Sequence, residues 1–442
     1  MNSRILDVYP KIPLFTTLLL FTITFFVYDD FGIRMIFGYA ALMYVALIYL
    51  IFRNNNLRVT RMKALYLILA LNLSVLILSG SVDSSSIAFV IGIVICALVA
   101  LVGDVRRSEL PAAFRILILF SILISFYVVA VRFYPSLYLN HVRPHLSAQS
   151  QATNEWLIKE GYGVTLGGNI VFIDYVLTLC GLICFNLILA YKEKLKFRWL
   201  YWGCIGICAV GMLFVNRKSE ILAYATALFF CFWMHMGAST RKEKKRILIA
   251  AIVLLIAGVA ALSYLARTEY LERYVTFVQR IISNIQGTDV QMDVTSGRTT
   301  LWKIALSFFI EHPILGIGWG HFKEYIPAYM GDLNNVHNNY IQLLCETGVV
   351  GFLLVMVPLV LIFRETIKLI RVNKKRSNRE PLLMALNTTS YGMQISFFVL
   401  SFLDPCLYKL LFWALFAIAA MFACCTENSM IDIRKVEDNG GS

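Results

Sequence analysis

Apolar runs of about 20 residues recur along the chain, separated by short segments that carry most of its charge. A helix crossing a hydrocarbon core of about 30 Å needs roughly 20 apolar residues, since each advances it by about 1.5 Å. Twelve runs meet or approach that length: 12–28, 31–52, 64–79, 86–103, 112–133, 166–191, 199–215, 219–236, 247–266, 339–363, 384–401 and 406–425. Lipid offers no hydrogen bonds, so such runs satisfy their backbone internally, as helices. The fold class that follows is an all-α polytopic membrane protein with about 12 transmembrane helices. Composition agrees: 59% of the residues are hydrophobic and 15% charged, against roughly 45–50% and 25% in soluble domains. Soluble multidomain enzymes, disordered chains and disulfide-dense secreted modules are excluded. The first run leads into further spans without a small-residue cleavage site, so no cleavable signal is expected.

The charges orient the spans. With the N-terminus placed in the cytoplasm, the inner segments are 1–11, 53–63, 104–111, 192–198, 237–246, 364–382 and 426–442. They hold 26 of the 40 Lys and Arg residues, while the outer turns near 29–30, 80–85 and 402–405 hold none. This is the positive-inside distribution, with both termini cytoplasmic. The net charge of +13 is therefore mostly topological and implies no nucleic-acid partner. The ten cysteines lie in apolar runs, and the i, i+4 pairs Cys180/Cys184 and Cys204/Cys208 read as small packing residues.

Four regions result: membrane helices 1–9 over 1–266, a large extracytoplasmic loop over 267–338, membrane helices 10–12 over 339–425 and a cytoplasmic tail over 426–442. Residues 134–165 form a second long outer segment. In the large loop, Ser296 is a candidate N-cap. Leu301, Ile304, Ala305, Phe308 and Phe309 recur at helical spacing up to Pro313. An amphipathic helix of about 14 residues is expected there, lying at the outer interface. The run Gly316-Ile-Gly-Trp-Gly320 then predicts a tight turn.

Several polar residues break the apolar pattern. Arg217 and Lys218 sit in a short outer turn, Asn216-Arg217-Lys218-Ser219-Glu220, against the positive-inside trend. A bound anion such as a phosphate would hold them there; contact with lipid headgroups is the plainer alternative. Arg298 starts the interfacial helix, as a site residue or a solvated one. His337 opens His337-Asn-Asn-Tyr340 where the loop re-enters the membrane. Histidine suits proton transfer near neutral pH, although a histidine at a helix start is often structural. Asn338 or Asn339 is expected to cap that helix. Glu346 lies within the span, as a functional acid or a buried structural one, the structural reading being preferred. Asn169 and Asp174 raise the same question. Asp404 is expected to be solvated in its turn, Gly348 and Gly351 to permit close helix approach, and Arg34 and Arg115 to snorkel.

Two segments together carry a family resemblance. Gly297-Arg298…Trp302…His312-Pro313-Ile-Leu-Gly316-Ile-Gly318-Trp-Gly320-His-Phe322, followed by His337-Asn338-Asn-Tyr340…Glu346-Thr-Gly348-Val-Val-Gly351, resembles the signature of the O-antigen ligase/polymerase superfamily. The resemblance implies a bacterial inner-membrane glycosyltransferase acting at the extracytoplasmic face. It implies a polyprenyl-diphosphate-linked oligosaccharide donor, a saccharide acceptor and inverting transfer without metal or cofactor. Arg217 and Arg298 correspond to the diphosphate-binding arginines and His337 to the catalytic histidine, with Lys218, Asn338, Tyr340 and Glu346 in support. The family's first arginine follows a serine in a Ser-Arg-small turn, whereas Asn216 precedes Arg217 here and Lys218 follows it. The chemistry fits these residue types, because cations stabilise a departing diphosphate and a histidine accepts the acceptor's proton. Polymerase is slightly preferred to ligase, and a chain-length regulator is a candidate partner. The rival class is a transporter or lipid-linked glycan flippase, for which halves with matching broken helices would be expected. A structural scaffold would leave Arg217, Arg298 and His337 unexplained.

Overall fold

The computed structural model describes residues 60–80, 84–102, 110–159, 161–164, 170–236, 298–326, 335–375, 380–409, 412–424 and 427. The expected spans 12–28, 31–52 and 247–266 lie outside them, as do Arg34, Asn169, Ser296, Gly297, residues 267–295 and 327–334 of the large loop and all of the 426–442 tail but Glu427.

Among the described residues the structure is helical, with no strand. In chain order the principal helices are α1 (Arg61–Leu78), α2 (Ser84–Val102), α3 (Leu110–Phe133), α4 (Ala148–Lys159), α5 (Ile170–Tyr191), α6 (Arg198–Val215), α7 (Lys218–Met236), α8 (Arg298–Glu311), α9 (Asn339–Lys375), α10 (Pro381–Ser401) and α11 (Phe412–Cys424). Nine of the twelve expected spans coincide with helices. Six helical segments, at α1, α3, α5, α6, α7 and α9, are long and apolar enough to cross a membrane. The protein is a multi-pass membrane protein. Exposed apolar rows suit contact with lipid, such as Leu119, Leu123 and Phe126 on α3.

Helix α5 is the hub, packed by α3, α6, α7 and α10, while α9 lies against α1, α8 and α10. Cys180 and Cys184 of α5 face Cys204 and Cys208 of α6, all four buried. Helix α10 fills the expected span 384–401 but is too polar to count among the six. Its Asn387, Thr388, Thr389, Ser390 and Gln394 are all buried. Their hydrogen bonds explain how they are tolerated. Gln394 Nε2 donates to Thr366 Oγ1 of α9 at 2.9 Å, and Asn186 Nδ2 of α5 donates to Thr389 Oγ1 at 3.2 Å. Interhelical bonds of this kind hold membrane helices together where the hydrophobic effect between them is absent.

The helix predicted before Pro313 forms as α8, with Leu301 and Ala305 buried on one face. After it, residues 313–320 make the expected glycine-rich turn, with positive φ at Gly316, Gly318 and Gly320. This hook inserts beside a break in α9 at Gly348, whose φ is 62° and ψ −169°. Val349 N–H donates to Pro313 O (2.9 Å) and Val350 N–H to Ile314 O (3.2 Å). In return Ile317 N–H donates to Cys345 O (3.0 Å) and Gly318 N–H to Glu346 O (2.8 Å). The hook thus satisfies the backbone groups that the break frees, the condition for irregular backbone within a membrane fold. Gly348 interrupts its helix rather than merely packing it. Gly351 has the expected role, since a Cβ there would lie 3.0 Å from Leu76 Cδ2 of α1.

At Gly348 a Cβ would come within 2.2 Å of Ile314 O, in a backbone conformation that glycine alone adopts readily and that costs other residues about 1–3 kcal/mol. Gly348→Ala should therefore lower the thermal midpoint of the purified protein and detach the hook. An unchanged midpoint would contradict this account of the break.

Candidate active site

Helices α6 and α7 are joined by only Asn216 and Arg217. Asn216 adopts a left-handed conformation (φ 68°) that ends α6, one that Asn tolerates better than most residues. Its Nδ2 donates to Gly161 O at 2.7 Å, pinning the turn to the segment before α5. Arg217 is thereby directed inward and is 9% exposed.

Two carboxylates meet it. Arg217 Nη2 donates to Asp404 Oδ2 at 2.7 Å. Nη1 makes a 2.6 Å ion contact with Glu220 Oε1, one turn along α7. Ser219 Oγ lies 2.5 Å from Glu220 Oε2 and 3.0 Å from Asp404 Oδ2, so one hydroxyl sits between both acids. Burial would weaken the guanidinium's charge, but Glu220 and Asp404 outweigh it and raise its pKa. For Asp404, burial pushes the pKa up, yet Arg217, Lys409 and Arg298 hold it below the usual carboxylate range.

Asp404 corrects one expectation. It is buried and paired, not solvated. The turn after α10 folds over the α6–α7 turn instead of projecting outward, and a buried carboxylate is tolerated when paired. What meets the Arg217 guanidinium is thus an internal pair of acids. Lys218 is the first residue of α7.

Histidine 337 arrives from another direction. Trp302 Nε1 of α8 donates to Val336 O at 3.1 Å, tying the helix that begins at Arg298 to the residue before His337. His337 has a left-handed backbone (φ 54°), uncommon outside glycine and often found at functional sites. Its Nδ1 is buried without a hydrogen-bond partner among the described residues. Burial first, then the positive charge of Arg298, lowers the pKa of its imidazole, while Asp404 opposes the shift; Lys409 and Arg217 lower it further. His337 therefore favours its neutral, proton-accepting form. The three residues singled out in the sequence gather in one electrostatic environment.

The supporting residues have distinct parts. Asn338 Oδ1 accepts from Tyr340 N–H (3.0 Å) and Ile341 N–H (3.2 Å), the expected cap of α9. Tyr340 anchors that helix start, donating its hydroxyl to Phe398 O of α10 at 2.9 Å. Glu346 is a buried junction, matching its structural reading. It accepts from Gly320 N–H at 2.9 Å, from Gln342 Nε2 at 3.1 Å and from the Tyr408 hydroxyl. Trp319 stacks on Tyr408 with centroids 4.5 Å apart. Hook, broken helix and the turn before α11 are thus joined at one carboxylate, next to Lys409.

Sequence reasoning missed Glu220, Lys409, Gln342 and Tyr408 as site components. The first two left a signal: Glu220 closes the charged turn that begins at Arg217, and Lys409 is an isolated charge near the start of an apolar run. Among the described residues, Cys180, Cys204 and Cys208 have thiols within 4.8 Å of one another and form the one group able to hold a metal. Cys208 lies nine residues before Arg217, roughly 13 Å along the helix axis.

Residues 203–356 match the family model described as O-antigen ligase. This match supports the O-antigen ligase/polymerase superfamily for that segment. The match contains Arg217, Arg298, His337, Asn338, Tyr340 and Glu346, and ends before Asp404 and Lys409. No curated relative matches the chain. The matched family supports a glycosyltransferase activity of O-antigen ligase type for this membrane protein.

Removing one partner of a buried ion pair typically costs about 3–5 kcal/mol. With Glu220 still in place, Asp404→Ala should sit at the lower end of that range and lower the melting midpoint in detergent. A midpoint equal to that of the parent protein would show that the pair does not hold the two turns together.

Proposed function

We propose that the protein transfers a glycan from a polyprenyl diphosphate to a saccharide hydroxyl, by metal-independent inverting displacement at the extracytoplasmic face of a bacterial inner membrane. One observation carries the reading. Arg217, Arg298 and His337 are far apart in sequence, yet the charges of both arginines act on the His337 imidazole and lower its pKa, and all three lie within the segment that matches the O-antigen ligase family.

The roles follow from charge. Arg217 and Arg298 bind the donor diphosphate and stabilise the charge that grows as the bond between the anomeric carbon and the phosphate oxygen breaks. The leaving diphosphate takes the electron pair. The acceptor oxygen forms the new bond from the opposite face, and its proton passes to the His337 imidazole. Ile310, Ile314 and Leu315 are exposed apolar residues at the end of α8 and in the hook, which suits an interfacial α8 beside the donor's lipid.

The acceptor divides polymerase from ligase. A polymerase extends a second lipid-linked glycan and would work with a chain-length regulator. The match to the O-antigen ligase family favours the second reading, in which the acceptor is a surface anchor. Both share the donor site. Supplying purified protein with one labelled donor and each acceptor in turn separates them by product.

His337→Ala should abolish transfer while leaving expression and membrane insertion intact; normal product in cells carrying only that variant would refute the base assignment. Arg298→Ala should reduce donor use by about 3–4 kcal/mol, the range for a lost charge-stabilising donor. The pH profile gives an independent check. Protonation of His337 stops catalysis, so activity is lost as pH falls through its lowered pKa. The acid limb of kcat/KM should lie below the ordinary histidine value of about 6.5. Arg298→Gln should move that limb upward, and a limb that stays in place would contradict the coupling.

A further inference from the structure

The carboxylates around Arg217 outnumber what an ion pair needs. Glu220 and Asp404 occupy two edges of its guanidinium. A third acid, Asp174 of α5, lies within electrostatic reach of Glu220, Arg217 and Asp404. It is fully buried, and neither of its oxygens has a hydrogen-bond partner among the described residues. Lys409 brings a second cation to Asp404, Arg217 and Glu220. The other groups facing this cluster are Tyr175 and Cys406, joined to each other at 2.9 Å, the Ser219 hydroxyl, and Arg298 and His337 acting on or through Asp404. Three acids thus lie within electrostatic reach of the buried Arg217, with the half-buried Lys409 beside them, and one acid has no hydrogen-bond partner among the described residues.

A diphosphate diester carries two negative charges and recognises the same guanidinium edges as a carboxylate. It cannot engage Arg217 fully while Glu220 and Asp404 hold both edges. Once they are displaced, the pocket contains their charges together with the donor's. Isolated buried charges are costly, and a carboxylate relieves the cost by taking a proton. A protonated acid also becomes a hydrogen-bond donor to phosphate oxygens.

We propose that Asp174, Glu220 and Asp404 form a resident counter-anion which the donor diphosphate displaces from Arg217, and that this exchange is coupled to uptake of a proton by the three-acid group. The carboxylates are positioning residues, setting where the guanidinium points and when it is free. This inference rests on the donor-site reading of Arg217. Donor affinity then rises as pH falls, by up to about tenfold per pH unit where one proton is taken up.

Titration calorimetry of the full chain in lipid nanodiscs tests the proposal. The probe is farnesyl-diphosphate-linked N-acetylglucosamine, a diester with no group titrating near neutrality. Binding heats measured in buffers of different ionisation enthalpy report the protons taken up, and roughly one per donor is expected. Asp174→Asn and Glu220→Gln each leave two acids against two cations, and each should reduce the uptake toward zero while binding persists. His337→Gln should retain it. Zero uptake in the wild-type chain overturns the proposal. So does uptake unchanged in both acid variants, or uptake lost in His337→Gln, which assigns the proton to the histidine. Arg217→Gln separates the two layers. If it weakens binding while the wild type takes up no proton, the proposal alone falls. If it leaves the Kd unaltered, the donor-site reading falls with it.

Discussion

The pairing of Arg217 with Glu220 and Asp404 joins parts of the chain that sequence separates. Arg217 sits between α6 and α7, and Asp404 lies 187 residues later, after α10. A guanidinium leaves water only when its charge is met, so the two turns must close on each other if either is to be buried. That closure places Lys409 against the same acids. It also sets part of the charge that acts on His337, to which Arg298 adds its own.

The second constraint is the break in α9. An uninterrupted helix from Asn339 would leave no free backbone groups for the hook to bind. Gly348 creates the gap, Pro313–Gly318 fills it, and Glu346 fastens Gly320, Gln342 and Tyr408 together. The loop returning from α8 is thereby held in one register before it reaches His337. The left-handed backbone of His337 is maintained by surroundings fixed on both sides, Trp302 holding Val336 and Asn338 capping α9. A general base needs positioning of this kind, because proton transfer requires hydrogen-bond reach.

Much of this was legible in the sequence because it follows from periodicity and from residues with one strong preference. The apolar runs among the described residues became helices, Leu301 and Ala305 marked the buried face of α8, the clustered glycines became the hook, and Asn338 became the cap. Arg217, Arg298 and His337 stood out as charged or titratable groups where the pattern asked for none. The partnerships were not legible. Asp404 reads as a solvated turn residue because sequence does not reveal which distant turn will cover it. Gly348 reads as a packing glycine because a positive φ depends on the Ile314 carbonyl arriving beside it. Helix α10 reads as an ordinary span, although it is buried polar residues bonded to α5 and α9 that place it in the bundle.

The central claim is that Arg217 and Arg298 share one diphosphate with His337 at the reacting carbon. A cryo-EM structure of the full chain in nanodiscs, bound to a polyprenyl-diphosphate-linked glycan, tests it most directly. The account predicts phosphate oxygens within hydrogen-bond distance of both guanidinium groups, with the His337 imidazole facing the anomeric carbon from the opposite side. A diphosphate bound elsewhere, with Arg217 still held by Glu220 and Asp404, would contradict it.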